Sequence, residues 1–218
     1  MSFWRKLLGQ GPALYRTPDE QARLEARNGL LQFDEIQHLI DKSIAVGKPF
    51  KLTSSTLKRL HRAAIHDIYI CAGKFRKIAV FITNAQHQPP PPERVPVLVD
   101  EMCDYVNSSA SRSPIHIAAY LMWRLNWIHP FAGGNGRTSR AVSYLALCAK
   151  LGYKLPGAPT IPEQIVADRQ PYYSALRQAD DAWAAGHLNL SEMESLMQNL
   201  LTAQLVGLLD SATQNHAT

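Results

Sequence analysis

No stretch of this 218-residue sequence is apolar for the roughly 18 residues that a membrane-crossing helix needs. The opening Met-Ser-Phe-Trp-Arg-Lys-Leu-Leu-Gly-Gln has too short an apolar part for a secretory signal. No membrane association is expected, and the cytoplasm is the expected compartment, with delivery into another cell left open. Cysteine is scarce: Cys71, Cys103 and Cys148 form no Cys-x-x-Cys pair, which excludes a disulfide framework and suits a reducing compartment. His61 and His66 are five apart, whereas zinc ligands on one helical face want a spacing near four, so no structural metal is expected. Charge of one sign is also lacking. Lys+Arg number 23 against 18 Asp+Glu, a net +5, and the basic residues are scattered without interleaved aromatics. Nucleic acid is therefore not an expected partner. Neither an internal repeat nor a long linker divides the chain.

What is present is a folding composition, 46% hydrophobic and 19% charged. Residues 17–210 read as a single domain, residues 1–16 as a basic lead and residues 211–218 as a frayed tail. Thr17-Pro18-Asp19-Glu20 is a capping box with proline in the first turn, opening a helix to about Val46. Leu57, Leu60, Ala64, Ile65 and Ile68 predict a second helix over Ser54–Tyr69. Further helices are expected over Glu93–Asn107, Pro114–Ile128, Asn135–Leu151 and Pro171–Ala184. A last one is expected from a capping box at Asn189 and Glu192 to about Leu209. Ile78, Val80 and Ile82 alternate at period two, so Lys77–Gln88 reads as a short β-hairpin, followed by a rigid turn at Pro89–Pro92. The fold class is all-α with one small hairpin. Trp123 and Trp127, four apart, read as a packing stripe, and His116 as a capping or surface residue.

One window carries chemistry. Between two apolar helices lies His129-Pro130-Phe131-Ala132-Gly133-Gly134-Asn135-Gly136-Arg137-Thr138-Ser139-Arg140. Three glycines in four residues weaken a mere connector but let backbone approach a ligand closely. Asn135 and Gly136 open the next helix, whose unpaired N–H groups form an anion site. Arg137 and Arg140 share a face one turn inside that end, where forked guanidinium groups grip phosphates. A histidine ending the previous helix can serve as a base on a hydroxyl. Taken singly, each feature is an ordinary turn, a solvated face or a helix end; together they indicate a phosphate site.

The window resembles the signature of the Fic (filamentation induced by cAMP) domain family, His-x-Phe-x-Asp/Glu-Gly-Asn-Gly-Arg-x-x-Arg. The resemblance extends to Glu25–Asp34, to Ile65-His66-Asp67, to Ala72-Gly73-Lys74-Phe75-Arg76, to the His87-to-Glu93 stretch, and to Arg169 with Tyr172–Leu176. It implies a helical bundle around a central helix-loop-helix, and transfer of AMP from ATP to a Ser, Thr or Tyr hydroxyl of a target protein. By position it implies that His129 is the base and that Phe131 anchors the loop. Gly133, Gly134, Asn135 and Gly136 would cradle phosphates, with Arg137 and Arg140 on the outer ones. Tyr172 or Tyr173 would line the base pocket or pack in the core. Lys77, Ile78, Ala79, Val80, Phe81, Ile82 and Thr83 would form the flap that docks the target.

The sequence departs from the family at two places. Gly133 replaces the acid that holds Mg²⁺ against the phosphates, so use of Mg²⁺ or Mn²⁺ is in doubt, and Asp67 is a conceivable substitute. No Ser/Thr-x-x-x-Glu-Gly/Asn inhibitory segment occurs; Arg27-Asn28 stands in that register. An enzyme unlocked in cis, or held by an antitoxin-like partner in trans, is expected. The alternatives are an AMP transferase leaning on Arg137, Arg140 and Arg76 or Arg169, a transferase with another donor, a hydrolase of nucleotides or modified proteins, and a binding module without chemistry.

Overall fold

The computed structural model describes residues 13–45, 50–82 and 85–215, with side chains to residue 207. Eight α-helices carry the described chain: α1 (Pro18–Ala45), α2 (Ser54–Ile65), α3 (Val95–Ser108), α4 (Pro114–Ile128), α5 (Asn135–Leu151), α6 (Ile161–Ala167), α7 (Gln170–Ala184) and α8 (Ser191–Asn215). A 3₁₀ turn, Pro92–Arg94, leads into α3.

The centre is the α4–α5 hairpin. Ile117 to Leu125 of α4 and Ala141 to Cys148 of α5 are buried throughout, as expected of helices apolar on every side. Around them α1 and α2 cover one face of α5, while α3 and α8 flank α4 and α7 packs on α8. Helix α4 starts where Ser113 accepts a bond from the His116 N–H (3.0 Å), with Pro114 in the first turn. Helix α5 stops at Gly152, whose φ of +80° is open to glycine at little cost.

Several expectations need correction. Helix α2 ends at Ile65, not Tyr69, because Asp67 turns left-handed (φ 59°) and the Asn28 amide on α1 takes the His66 carbonyl (2.7 Å). The expected hairpin is not formed: residues 77–82 and 85–88 are irregular, without a strand. Its two ends are held not by a ladder but by one side chain, the Arg76 guanidinium, which takes the carbonyls of Ile78 (3.1 Å) and Pro90. Thr83 lies outside the described residues, as do residues 1–12 of the lead. Helix α6 was not expected; Thr160 caps it, its N–H donating to Glu163 Oε2 (2.6 Å). Helix α8 begins at Ser191, whose N–H binds the Asn189 side chain (3.0 Å) without a capping box, and it continues past Leu209 to Asn215. At the first helix the Glu20 N–H donates to the Thr17 hydroxyl (3.1 Å), as the capping box predicts, while its carboxylate reaches Arg16 N–H (2.7 Å).

Candidate functional site

The α4–α5 connection, residues 129–134, lies where α2 and the irregular segments 73–82 and 85–90 meet the α4–α5 hairpin. His129 closes α4 in the left-handed region (φ 50°, ψ 57°), which a histidine adopts rarely and which marks functional positions. Its N–H completes the helix on Leu125 O (2.9 Å), and its carbonyl is held by Arg76 Nε (2.7 Å). The ring Nδ1 lies 3.3 Å from the Asn126 carbonyl, which can only accept, so Nδ1 carries the proton and Nε2 keeps its lone pair. Burial pushes the pKa down to about 4 against the Asn126 bond, and Arg76 and His87 lower it further. At neutral pH this imidazole is an uncharged base.

Phe131 is fully buried and pins the loop, a burial worth about 2 kcal/mol. Its ring stacks on His61 (centroids 3.7 Å, planes 6° apart) and meets Phe75 at 5.5 Å. Asn135 does not offer its side chain to a ligand. Its carbonyl oxygen accepts from Phe131 N–H (2.9 Å) and its amide donates to Phe131 O (2.8 Å), closing the loop on itself. Gly134 sits at φ +74°, and a Cβ there would stand 2.9 Å from Ile65 Cγ2, so the loop backbone touches α2 directly. Its carbonyl accepts from both the N–H and the hydroxyl of Thr138 (3.0 Å each). The N–H groups of Gly134, Asn135, Gly136 and Arg137 have no acceptor among the described residues, so the positive end of the α5 dipole is bare.

The two motif arginines differ. Arg137 Nη1 donates to the Ala64 carbonyl in the last turn of α2 (3.1 Å), and Nη2 lies 3.8 Å from the half-exposed Glu25. Arg140 makes no hydrogen bond or ion pair among the described residues. Its Nη1 lies 3.4 Å from where a Gly136 Cβ would stand, folding the guanidinium over the start of α5. Burial lowers its pKa, and the Arg169 and Arg137 charges add to this against Tyr172. Since arginine does not deprotonate in proteins, Arg140 keeps its positive charge with no ion-pair partner among the described residues.

The remaining expected residues are dispersed. Tyr172 is core, 3% exposed, with its hydroxyl accepting from Asn126 Nδ2 (2.7 Å); Tyr173 beside it is 42% exposed. Arg76 is no phosphate ligand: Nε, Nη1 and Nη2 donate to the carbonyls of His129, Ile78 (3.1 Å) and Pro90, and its N–H to Pro130 O (2.9 Å). It therefore staples both ends of the expected flap to the loop. Between those ends Lys77, Ile78, Ala79 and Phe81 are exposed, Phe81 by 79%, while Val80 and Ile82 are half-buried. His87 stacks on Trp127 and donates Nε2–H to its carbonyl (2.8 Å). His116 is not a surface cap; it joins Tyr105 (2.7 Å) to Glu194 (2.6 Å).

The donor set does not fit the family's metal. Gly133 has no side-chain oxygen, and the Asp67 carboxylate is taken by Arg27 (2.9 Å) and His66 (3.0 Å). No group of three His, Cys, Asp or Glu among the described residues comes together as a metal site. A cavity of about 390 Å³ adjoins the arginines, lined by Gly29, Gln32, Ile36, Arg137, Arg140 and Val166 among others.

Sequence reasoning missed His61 as part of the site, and offered Arg76 as a phosphate contact where it holds backbone carbonyls instead. His61 had one available signal, a histidine on the apolar face of Leu57, Leu60 and Ala64.

The Fic/DOC family model matches residues 51–147. A protein of Drosophila willistoni named protein adenylyltransferase Fic is 32% identical over 161 residues, covering 72% of this chain and 30% of that protein. One of the same name from Nematostella vectensis is 30% identical over 158 residues, covering 70% of this chain and 34% of that protein. The chain thus spans about a third of the length of these curated relatives. Among solved structures, Fic-1 of C. elegans superposes with a TM-score of 0.70 at 20% identity, over 92% of this chain and 54% of that one. A Fic domain containing signaling protein of Bacteroides thetaiotaomicron gives 0.61 at 22% identity, over 86% and 70%. The described helices carry the fold of those structures, and residues 51–147 carry the sequence of the Fic/DOC family.

Proposed function

We propose that the chain is a Fic-type adenylyltransferase that moves AMP from ATP to a Ser, Thr or Tyr hydroxyl of a target protein. The observation that carries this reading is a neutral His129 beside a bare helix N-terminus and a guanidinium, Arg140, without a counter-ion. The names of the curated relatives support the reaction class. The triphosphate lies against the free N–H groups opening α5, with Arg137 and Arg140 on its outer phosphates. His129 Nε2 accepts the proton of the attacking hydroxyl, whose oxygen bonds to the α-phosphorus as the bond to pyrophosphate breaks. The charge gathering on that leaving group is met by the arginines. No step is assigned to a metal, because residue 133 offers it no ligand. The exposed 77–82 segment docks the target, Phe81 giving the apolar contact. Arg140 is also the contact for an acidic inhibitor supplied in trans. Among the described residues no helix is long and apolar enough to cross a membrane, and we place the reaction in the cytoplasm.

Gly133 favours one second reading, a nucleotide-binding module that has lost the chemistry. Labelled ATP, with Mg²⁺, Mn²⁺ or neither, separates the two in the natural protein, His129→Ala, Arg140→Ala and Gly133→Asp. Position 133 is not in the left-handed region, so aspartate enters without backbone strain. Transfer that vanishes in His129→Ala and rises with Mg²⁺ in Gly133→Asp is the expected result. ATP binding by calorimetry with no labelling by either protein leaves the binding module; no binding at all ends both readings.

A further inference from the structure

His61 belongs to α2, 68 positions before His129 in the chain, and its ring is wholly buried. Both ring nitrogens are committed to backbone. The Gly73 N–H donates to Nδ1 (2.9 Å), so Nδ1 is the acceptor and Nε2 carries the proton. That Nε2–H donates to the Gly133 carbonyl at 2.9 Å. The Phe131 ring lies flat on the imidazole, fixing its plane and so the direction of both bonds. Burial holds the pKa at about 4, and the Arg137 charge also opposes protonation, so this tautomer persists at neutral pH.

The carbonyl held by His61 belongs to the peptide joining Gly133 to Gly134. That peptide is trans and planar, so its N–H points opposite to its C=O. Drawing the oxygen toward α2 therefore turns the Gly134 N–H away from α2, beside the bare amides that open α5. A glycine–glycine peptide has no Cβ on either side to hinder rotation, so little else fixes this direction. Asn135 secures the loop only at Phe131, and Thr138 only at the Gly134 carbonyl. The orientation of the Gly133–Gly134 peptide itself is left to His61.

We propose that His61 is a positioning residue: through its Nε2–H bond to Gly133 O it aims the Gly134 N–H at the phosphates of the bound nucleotide. The assignment rests on the adenylyltransferase reading for its ligand, but the ring's tautomer and the peptide's direction do not depend on it.

Two amide side chains divide the two bonds. Glutamine reaches the place of Nε2 with a donor, whereas asparagine puts an oxygen near Nδ1 and stops short of Gly133. Phenylalanine keeps the stack on Phe131 and loses both bonds. For the full chain, His61→Asn and His61→Phe are expected to lower kcat for label transfer on the order of 100-fold, as small misplacements of reacting groups do. His61→Gln is expected to restore the rate to within about fivefold of the natural protein. Melting temperatures are measured alongside. If His61→Asn transfers as well as His61→Gln, or if rate falls only in step with melting temperature, the proposal is overturned. Should the natural protein bind ATP without transferring it, calorimetry takes the place of kcat, with about tenfold weaker ATP binding expected in His61→Asn but not in His61→Gln. Equal affinities overturn the positioning role while leaving the binding module standing. Independently of ATP, ¹⁵N spectra of the His61 ring are expected to show Nε2–H near neutral pH; an Nδ1–H tautomer would refute the proposal.

Discussion

Replacing Gly134 by alanine tests whether the loop's contact with α2 is as close as described. The residue sits at φ +74°, and an added Cβ would lie 2.9 Å from Ile65 Cγ2 and 3.4 Å from two atoms of the His61 ring. Gly152 is its control, with φ +80° but open space around the added atom. A left-handed alanine costs about 1–2 kcal/mol at either place. Only Gly134→Ala adds the cost of forcing a methyl group into packed atoms, about 1–3 kcal/mol. Expected losses are therefore about 1 kcal/mol for Gly152→Ala and about 3 kcal/mol for Gly134→Ala. With a urea slope of about 2–3 kcal/mol/M, that difference separates the two midpoints by roughly 0.7–1 M. A second step assigns the excess to its neighbour. In an Ile65→Ala background the obstructing Cγ2 is gone, and Gly134→Ala should cost about as little as Gly152→Ala. Coincident midpoints for the two glycine variants, or an undiminished cost beside Ala at position 65, would refute the reasoning.

Acid should unsettle both fold and reaction. His61 and His129 are neutral when folded and their pKa values are depressed from 6.5 to about 4, so their contribution is full above about pH 6.5 and is lost as pH falls toward 4. For His61 this amounts to about 3 kcal/mol, visible as a fall in urea midpoint that His61→Phe removes in part. The acid limb of label transfer should likewise have its midpoint nearer pH 4 than 6.5, and a midpoint at 6.5 would contradict the burial of His129. Arg76→Lys loses the fork that reaches four carbonyls and should cost about 3 kcal/mol, with faster hydrogen exchange over residues 77–90 than in the natural protein. Arg124 lies over Trp123, Trp127 and Trp183 (4.4–5.5 Å), with Nε and Nη1 buried and unpaired. Arg124→Met should leave thermal stability unchanged or raise it by about 1 kcal/mol, and a loss above about 2 kcal/mol would show the guanidinium to be better satisfied than it is here.

The parts of the fold legible in the sequence are those whose causes are local. Apolar runs and capping residues placed α4 and α5 to the residue, and the glycines between them marked the loop. The end of α2 was not legible, because the side chain that stops it, Asn28, belongs to another helix. Alternation at Ile78, Val80 and Ile82 suggested strands, yet what orders that segment is an arginine gripping its carbonyls. Helix α6 buries only Ile161 and Ile165, too little apolar periodicity to stand out. At the site, His129 and the two arginines were legible as reactive types in one window. Asn135 looked like a ligand residue because nothing local reveals that both ends of its amide are spent on Phe131. His61 and Arg76 act on carbonyls supplied by distant segments, and a carbonyl is the same in every residue.

Arg76 ties Ile78, Pro90 and His129 within the span of one guanidinium. The chain between Ile78 and Pro90 is thereby a cassette whose two ends are already closed. Its length and side chains can change without altering where it joins the loop, since doubling a closed loop adds only about 0.6 kcal/mol of entropy. On the proposed docking role of residues 77–82, target recognition can change while Arg76 holds the base in place, and a graft limited to 79–86, which spares His87 on the Trp127 carbonyl, is the natural way to redirect this scaffold.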